Sequence, residues 1–189
     1  MSGPLNLANL LTVSRLALAP LVIRAILNGQ HTQALALFAL AAVTDVLDGA
    51  AARRWGLATK GGAYLDPVAD KVLVSGVFLA LAGANLVPWW FVAMVLGRDL
   101  YILLGASLLM TLTSLRNFPP SVWGKISTFF QIVTATTWMA NDVLANRWID
   151  LFAWMVLTIS AALTLWSGLH YTWRGIRLAA RIDGSGARE

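Results

Sequence analysis

The sequence predicts an all-α integral membrane protein with six transmembrane helices and both termini on the cytoplasmic side. Three observations carry that expectation. Apolar residues make up 58% of the 189 residues and charged residues only 12%, too little charge for a water-facing surface at this size. The apolar residues fall into runs of membrane-spanning length separated by short polar breaks. Basic residues concentrate in alternate breaks, the asymmetry that sets membrane topology. The length suits a single domain, residues 1–189, ending in a basic tail over about 173–189. Cysteine is absent, which excludes disulfides and thiolate metal sites, and His31 and His170 are too few and too separated for a histidine metal site. The net charge of +5 does not point to nucleic acid, because the basic residues sit at helix ends rather than along a soluble stripe. The N-terminal MSGPLNLANLL has neither a basic n-region nor a cleavage site, so no removable signal peptide is expected.

The first span covers roughly 10–27, with Arg15 near its start and Pro20 inside it. Neighbouring helices can satisfy the carbonyl that a proline frees in a membrane. Asn9, Thr12 and Arg15 fall at i, i+3 and i+6, and read either as caps with a snorkelling arginine or as contacts to substrate phosphates. The loop NGQHTQ leads to the second span, 34–54, which ends in aspartates and arginines. The third span, 65–84, opens with further aspartates, and Pro67 suits its first turn, where a missing N–H costs nothing. The fourth follows Pro88 and begins with Trp89 and Trp90, an aromatic pair suited to a membrane interface. Arg98 and Asp99 lie near its middle. An ion pair between these neighbours is one reading, although adjacent helical residues project about 100° apart and do not face each other. An arginine at that depth is expected to face a polar cavity and a phosphate. After the loop TSLRNFPPSVWGK, the fifth span, 126–144, carries Ser127, Thr128 and Gln131. Arg116 reads as a membrane anchor, and Lys125 as a ligand contact at the helix start. The sixth span covers 151–171. Beyond it Arg174, Arg177 and Arg181, at spacings of three and four, form a basic helix face for anionic headgroups, with no part in catalysis.

The stretch from Asp45 to Asp70, DVLDGAAARRWGLATKGGAYLDPVAD, holds four of the nine acidic residues. A carboxylate beside hydrocarbon costs about 2.5–3.5 kcal/mol on insertion scales. Four together demand a partner, and a divalent cation binds hard oxygen ligands and cancels their mutual repulsion. Asp45 and Asp48 stand at i and i+3, and Asp66 and Asp70 at i and i+4, so on helices each pair shares a face. Gly49 and the alanines up to Ala52 leave backbone open to a bulky ligand. Arg53 and Arg54 supply fixed positive charge for phosphate oxygens. Gly61 and Gly62 break the helix before the second pair. Two helix ends with four carboxylates and cations beside them suit a metal-bridged diphosphate.

The pattern Asp45-x2-Asp48-Gly49-x2-Ala52-Arg53-x8-Gly62-x3-Asp66-x3-Asp70 resembles the motif of the CDP-alcohol phosphotransferase family at each of its eight defined positions. Length and the spread of apolar segments also resemble that family's core domain from end to end. NLANLLTVSRLALAP resembles the N-terminal PNxLTxxR segment of the phosphatidylglycerophosphate synthase and cardiolipin synthase branch, with Ala8 in the place of proline. WGKISTFFQ resembles a GKxxTxxQ stretch of the same branch. The resemblance implies transfer of a phospho-alcohol group from a CDP-activated donor to an acceptor hydroxyl, with release of CMP. It implies two divalent ions, Mg²⁺ or Mn²⁺, held by Asp45, Asp48, Asp66 and Asp70, with Asp70 also the general base for the acceptor hydroxyl. A carboxylate beside cations is a weak base, and polarisation of the hydroxyl by the same cations lessens that mismatch. Gly49, Ala52, Arg53 and Gly62 would form the nucleotide and diphosphate cradle. Arg15, Arg98 and Lys125 are candidate contacts to the acceptor or lipid phosphate. A homodimer is a further family expectation. Gly76, Ala80, Gly83 and Ala84 on the third span, with Gly105, Ala106 and Ser107 on the fourth, permit close helix approach either between protomers or within one.

Within this branch the donor is CDP-diacylglycerol. Glycerol 3-phosphate as acceptor would give phosphatidylglycerophosphate, and phosphatidylglycerol would give cardiolipin. Gly97-Arg98-Asp99 leans toward the cardiolipin-type enzymes. Glycerol 3-phosphate, a small phosphorylated polar alcohol, is preferred as the commoner acceptor, with cardiolipin synthesis as the alternative; inositol phosphate and serine stay open. A cation transporter would also explain carboxylates in a membrane but not the arrangement from Arg53 to Gly62. A prenyltransferase spaces its aspartates differently, and a structural membrane protein has little reason to keep four costly acids. Basic residues at the N-terminal end of the first span, over 53–71, over 116–125 and in the tail fall on one side, against Arg147 and nearby Arg24 on the other. The basic side is the cytoplasm. The aspartates are therefore expected to face the cytoplasm from a bacterial inner membrane or its equivalent, where cytidine nucleotides and glycerol 3-phosphate are found.

Overall fold

The computed structural model describes residues 7–55, 62–112 and 121–186, with side chains described over 16–44, 71–108, 111 and 121–177. The described residues form six α-helices and no strand: α1 Leu7–Leu27, α2 His31–Trp55, α3 Gly62–Gly83, α4 Trp89–Leu112, α5 Val122–Leu144 and α6 Arg147–Gly186. Six helices were expected, and their ends differ from the expected spans for local reasons. α1 runs through Pro20 and closes on Gly29 at φ 71°, with Gln30 N–H donating to the Ala25 carbonyl at 2.9 Å. That left-handed closing residue carries no Cβ penalty in glycine. α3 closes the same way on Asn85, φ 58°, with Leu86 N–H donating to the Leu81 carbonyl at 2.9 Å. α5 starts at Val122 because Ser121 caps it, its Oγ accepting the Gly124 N–H at 3.0 Å. α6 starts at Arg147 because Asn146 Oδ1 accepts the Trp148 N–H at 2.9 Å. It then continues for 40 residues, taking in the basic tail as far as Gly186, since no proline interrupts it.

The Ser121 cap gives a measurable expectation. Ser121 is buried, and its own N–H donates to the Tyr171 hydroxyl at 2.8 Å. Ser121→Ala is expected to cost about 1 kcal/mol through the lost cap alone, read as a lower thermal midpoint in detergent. An unchanged midpoint would show that the cap carries no weight.

Two helical stretches among the described residues are long and apolar enough to cross a membrane, Trp89–Leu108 in α4 and Arg147–Arg177 in α6. Shorter apolar helical stretches are Leu16–Leu27, His31–Thr44 and Lys71–Gly83. Much of the apolar surface is exposed, including Leu103 and Leu104 on α4 and Leu169 and Ile176 on α6. Exposed apolar surface on that scale marks a lipid or protein contact.

The chain packs as two compact units, Met1–Pro88 with Ala135–Ala153, and Trp89–Thr134 with Trp154–Glu189. In the first, α1 packs against α2 and α3. The buried residues repeat at helical spacing: Val22, Ala25 and Ile26 on α1, Ala34, Phe38 and Ala41 on α2, Leu73, Val77, Ala80 and Leu81 on α3. A Cβ at Gly76 would stand 2.7 Å from Ile23 Cδ1, and one at Gly83 would stand 3.8 Å from Leu27 Cδ2. Those two small residues of α3 thus admit α1 of the same chain. His31 Nδ1 lies 3.0 Å from Asp142 Oδ2, joining the start of α2 to the end of α5, and Asn141 Nδ2 donates to Asp150 Oδ1 at 3.1 Å.

In the second unit the buried residues are mixed. Phe91, Val92 and Val95 are buried on α4, but α5 buries Ser127, Gln131 and Thr134, and α6 buries Ser160, Thr164 and Ser167. Each polar set follows the spacing i, i+4, i+7, which places it on one face of its helix.

Candidate active site

The aspartate motif divides between two helices. Asp45, Asp48, Gly49, Ala52 and Arg53 lie on the last three turns of α2, which ends at Trp55. Gly62 is the first residue of α3, and Asp66 and Asp70 follow within that helix. The backbone therefore has the i, i+3 and i, i+4 spacings on helices, as the sequence predicts. The side chains of these residues, and of Arg15 on α1, lie outside the described residues, as does the connection over 56–61. Just before the motif, Thr44 turns its hydroxyl inward to its own helix, bonding the Leu40 carbonyl at 2.8 Å and the Ala41 carbonyl at 2.9 Å. No group of three or more His, Asp or Glu side chains gathers among the described residues. The donor set along the motif is carboxylate only, in a chain without cysteine, and that chemistry fits hard divalent ions such as Mg²⁺ or Mn²⁺.

Arg98 and Lys125 are both described, and the structure brings their surroundings together. The Arg98 side chain is only 8% exposed. Its Nη1 donates to Asp99 Oδ1 at 2.7 Å, and its Nη2 donates to Ser167 Oγ. The ion pair between neighbours 98 and 99, left open by the sequence, is present, which corrects the expectation that two adjacent helical side chains do not meet. Their Cβ directions do diverge, but the arginine stem is long and flexible enough to fold its guanidinium back onto the short aspartate. Arg98 Nε is buried without a hydrogen-bond partner. The first turn of α5 closes on the same guanidinium: a Cβ at Gly124 would stand 3.3 Å from Arg98 Nη2. Lys125, the next residue, is exposed. Tyr171, whose hydroxyl receives the Ser121 N–H, borders Gly124, and Tyr101 Oη pairs with Thr172 Oγ1 at 2.8 Å.

Sequence reasoning named Ser127 and Gln131 on the fifth span but missed Ser167 and the other buried polar residues of α6. The signal was present: Ser160, Thr164 and Ser167 interrupt an apolar run at helical spacing. Thr164 finds its partners on α5, Ser127 Oγ standing 3.1 Å from Thr164 Oγ1 and Gln131 Nε2 donating to the same oxygen at 3.3 Å, whereas Ser167 takes Arg98 and Ser160 Oγ is buried without a partner among the described residues. Arg174 and Arg177 fall within the unbroken α6, where the Arg177 guanidinium lies 3.7 Å from the centre of the Trp173 ring.

The profile of the CDP-alcohol phosphatidyltransferase family matches residues 5–166. A probable phosphatidylglycerophosphate synthase of Mycobacterium tuberculosis is 34% identical over 179 residues, 91% of this chain and 82% of that one. A CDP-diacylglycerol–glycerol-3-phosphate 3-phosphatidyltransferase of Escherichia coli is 35% identical over 184 residues, covering 94% of this chain and 96% of its own. A probable cardiolipin synthase (CMP-forming) of Drosophila melanogaster is 35% identical over 143 residues, 75% of this chain and 42% of the fly protein. With its aspartates split over the end of α2 and the start of α3, and with relatives matched over nearly its whole length, this chain belongs to the CDP-alcohol phosphatidyltransferase family.

Proposed function

We propose that this protein transfers the phosphatidyl group of CDP-diacylglycerol to glycerol 3-phosphate, giving phosphatidylglycerophosphate and CMP. The observation that carries the reading is the complete eight-position aspartate motif on α2 and α3, in a chain similar over 94% of its length to a transferase named for that reaction. Asp45, Asp48, Asp66 and Asp70 would hold two divalent ions, Mg²⁺ or Mn²⁺. Bound there, the ions supply neutralisation of the diphosphate and polarisation of the acceptor hydroxyl. Asp70 takes the proton of that hydroxyl. The hydroxyl oxygen then bonds to the phosphatidyl phosphorus, the bond from that phosphorus to the bridging oxygen breaks, and CMP leaves with the bridging oxygen. Gly49, Ala52 and Gly62 admit the nucleotide close to the backbone, and Arg53 meets its phosphates. Arg15, Arg98 and Lys125 bind the acceptor or lipid phosphate.

The working form is one domain over 1–189 with six membrane spans. Both termini and the aspartates face the cytoplasm from a bacterial inner membrane, and the protein is a homodimer. Support for the spans comes from the exposed apolar faces of α4 and α6 and the one-sided distribution of basic residues. A second reading, phosphatidylglycerol as acceptor with cardiolipin as product, is favoured by Gly97-Arg98-Asp99 and by the 35% identity to the fly cardiolipin synthase.

The test is CMP release by purified protein in detergent with CDP-diacylglycerol, offering glycerol 3-phosphate or phosphatidylglycerol, each with Mg²⁺ or EDTA. Release is expected with glycerol 3-phosphate and Mg²⁺ and is expected to vanish with EDTA. Release with phosphatidylglycerol alone would move the protein to cardiolipin synthesis. Silence with both would sink the two readings together.

A further inference from the structure

We infer that Ser167 is a positioning residue that fixes the Arg98 guanidinium for the acceptor's phosphate; the inference rests on the acceptor role proposed above for Arg98. Ser167 is fully buried and its Oγ accepts a hydrogen bond from Arg98 Nη2. It lies on the same α6 face as Thr164, one turn away, and Thr164 meets Ser127 and Gln131 of α5 in a buried polar row whose three members bond one another at 3.1–3.4 Å. Such a row holds α5 and α6 in one register, because a hydroxyl displaced from its partner would be left unpaired away from water. Ser167 therefore presents its oxygen at a fixed height against α5, whose Gly124 borders the same guanidinium.

Two glycines shape the same slot. A Cβ at Gly168 would stand 3.8 Å from Arg98 Cγ, beside the stem, and one at Gly124 would stand 3.3 Å from Nη2, beside the tip. Asp99 takes the other terminal nitrogen at 2.7 Å. A guanidinium has five N–H donors, so pinning one hydrogen at each end sets the plane of the group while leaving donors for an anion.

The experiment measures steady-state kinetics of full-length protein against both substrates for Arg98→Ala, Ser167→Ala, Ser167→Thr and Gly124→Ala. Ser167→Ala is expected to raise KM for glycerol 3-phosphate about tenfold, the loss of one hydrogen bond to a charged group. KM for CDP-diacylglycerol and kcat are expected to stay within about twofold. Ser167→Thr, which keeps the hydroxyl, is expected to restore most of the acceptor KM. Gly124→Ala leaves the polar row intact and crowds Nη2 and the Ser121 cap alike, both 3.3 Å from the added Cβ, so it is expected to give the same acceptor-specific rise together with a lower thermal midpoint, and Ser121→Ala, which loses the cap without crowding Nη2, is its control. If Arg98→Ala raises the acceptor KM while Ser167→Ala and Gly124→Ala do not, Ser167 positions nothing. If Arg98→Ala itself leaves the acceptor KM unchanged, the acceptor role of Arg98 is wrong and the inference goes with it. Equal loss toward both substrates in the Ser167 variants would make the residue a packing element only.

Discussion

Asp70→Asn is expected to abolish CMP release while leaving the protein folded and membrane-inserted. Asparagine keeps the shape of the side chain and has nearly the same helix propensity as aspartate, so α3 should form over the same residues. What is lost is the negative charge, and with it the ability to take a proton. Positioned general bases contribute about 10²–10⁴-fold to rate, and loss of one of the carboxylates proposed to hold the ions would add to that deficit. The same substitution at Asp45 or Asp66 separates the two roles. Those residues are proposed only as ion ligands, so part of their lost activity should return at high Mg²⁺, whereas Asp70→Asn should stay inactive at any metal concentration. Near-normal turnover by Asp70→Asn would remove Asp70 as the base. Recovery with added metal would leave it as a ligand alone. Circular dichroism and a size-exclusion profile matching the parent protein are the controls for folding.

The helical placement of the motif residues was legible in the sequence because their spacing is local. Asp45 and Asp48, and Asp66 and Asp70, share helix faces by spacing alone, and carboxylates in an apolar chain stand out by their cost. Helix number was legible for the same reason, since each long apolar run is its own signal. Helix ends were less so. Ser121 and Asn146 set the starts of α5 and α6 through single side-chain bonds to backbone N–H groups, and a hydrophobic pattern does not register those bonds. The continuation of α6 into its basic tail depended on the absence of a breaker, a weaker signal than the presence of one. The surroundings of Arg98 were the hardest to foresee. Its partner Ser167 is 69 residues away, and which of several buried hydroxyls it meets depends on the register of α6 against α4. Periodicity gives the face of a helix and leaves its height against a neighbour open.

Gly76→Leu is expected to destabilise the first unit by forcing α1 and α3 apart. A Cβ at this position already stands 2.7 Å from Ile23 Cδ1 and 3.6 Å from Ile23 Cγ1, inside contact distance before the rest of a leucine is built. An alanine needs only a rotation of the Ile23 tip. A leucine needs α1 and α3 to separate, and overpacking of that kind costs about 1–3 kcal/mol. The consequence extends to the site, because Asp70 lies six residues before Gly76 on the same helix, roughly 9 Å along its axis. A shift of α3 against α1 carries the aspartate-bearing end with it, so turnover should fall even where the protein remains folded. Ile23→Ala supplies the control. Alone it removes packing between the two helices and destabilises. Combined with Gly76→Leu it vacates the space that the leucine needs, so the double variant should be more stable than the sum of the two single changes by about 0.5–3 kcal/mol. Strict additivity would mean that Ile23 and residue 76 do not meet. Full recovery of stability without recovery of CMP release would mean that the spacing of α1 and α3 is tuned for the aspartates more finely than packing alone requires.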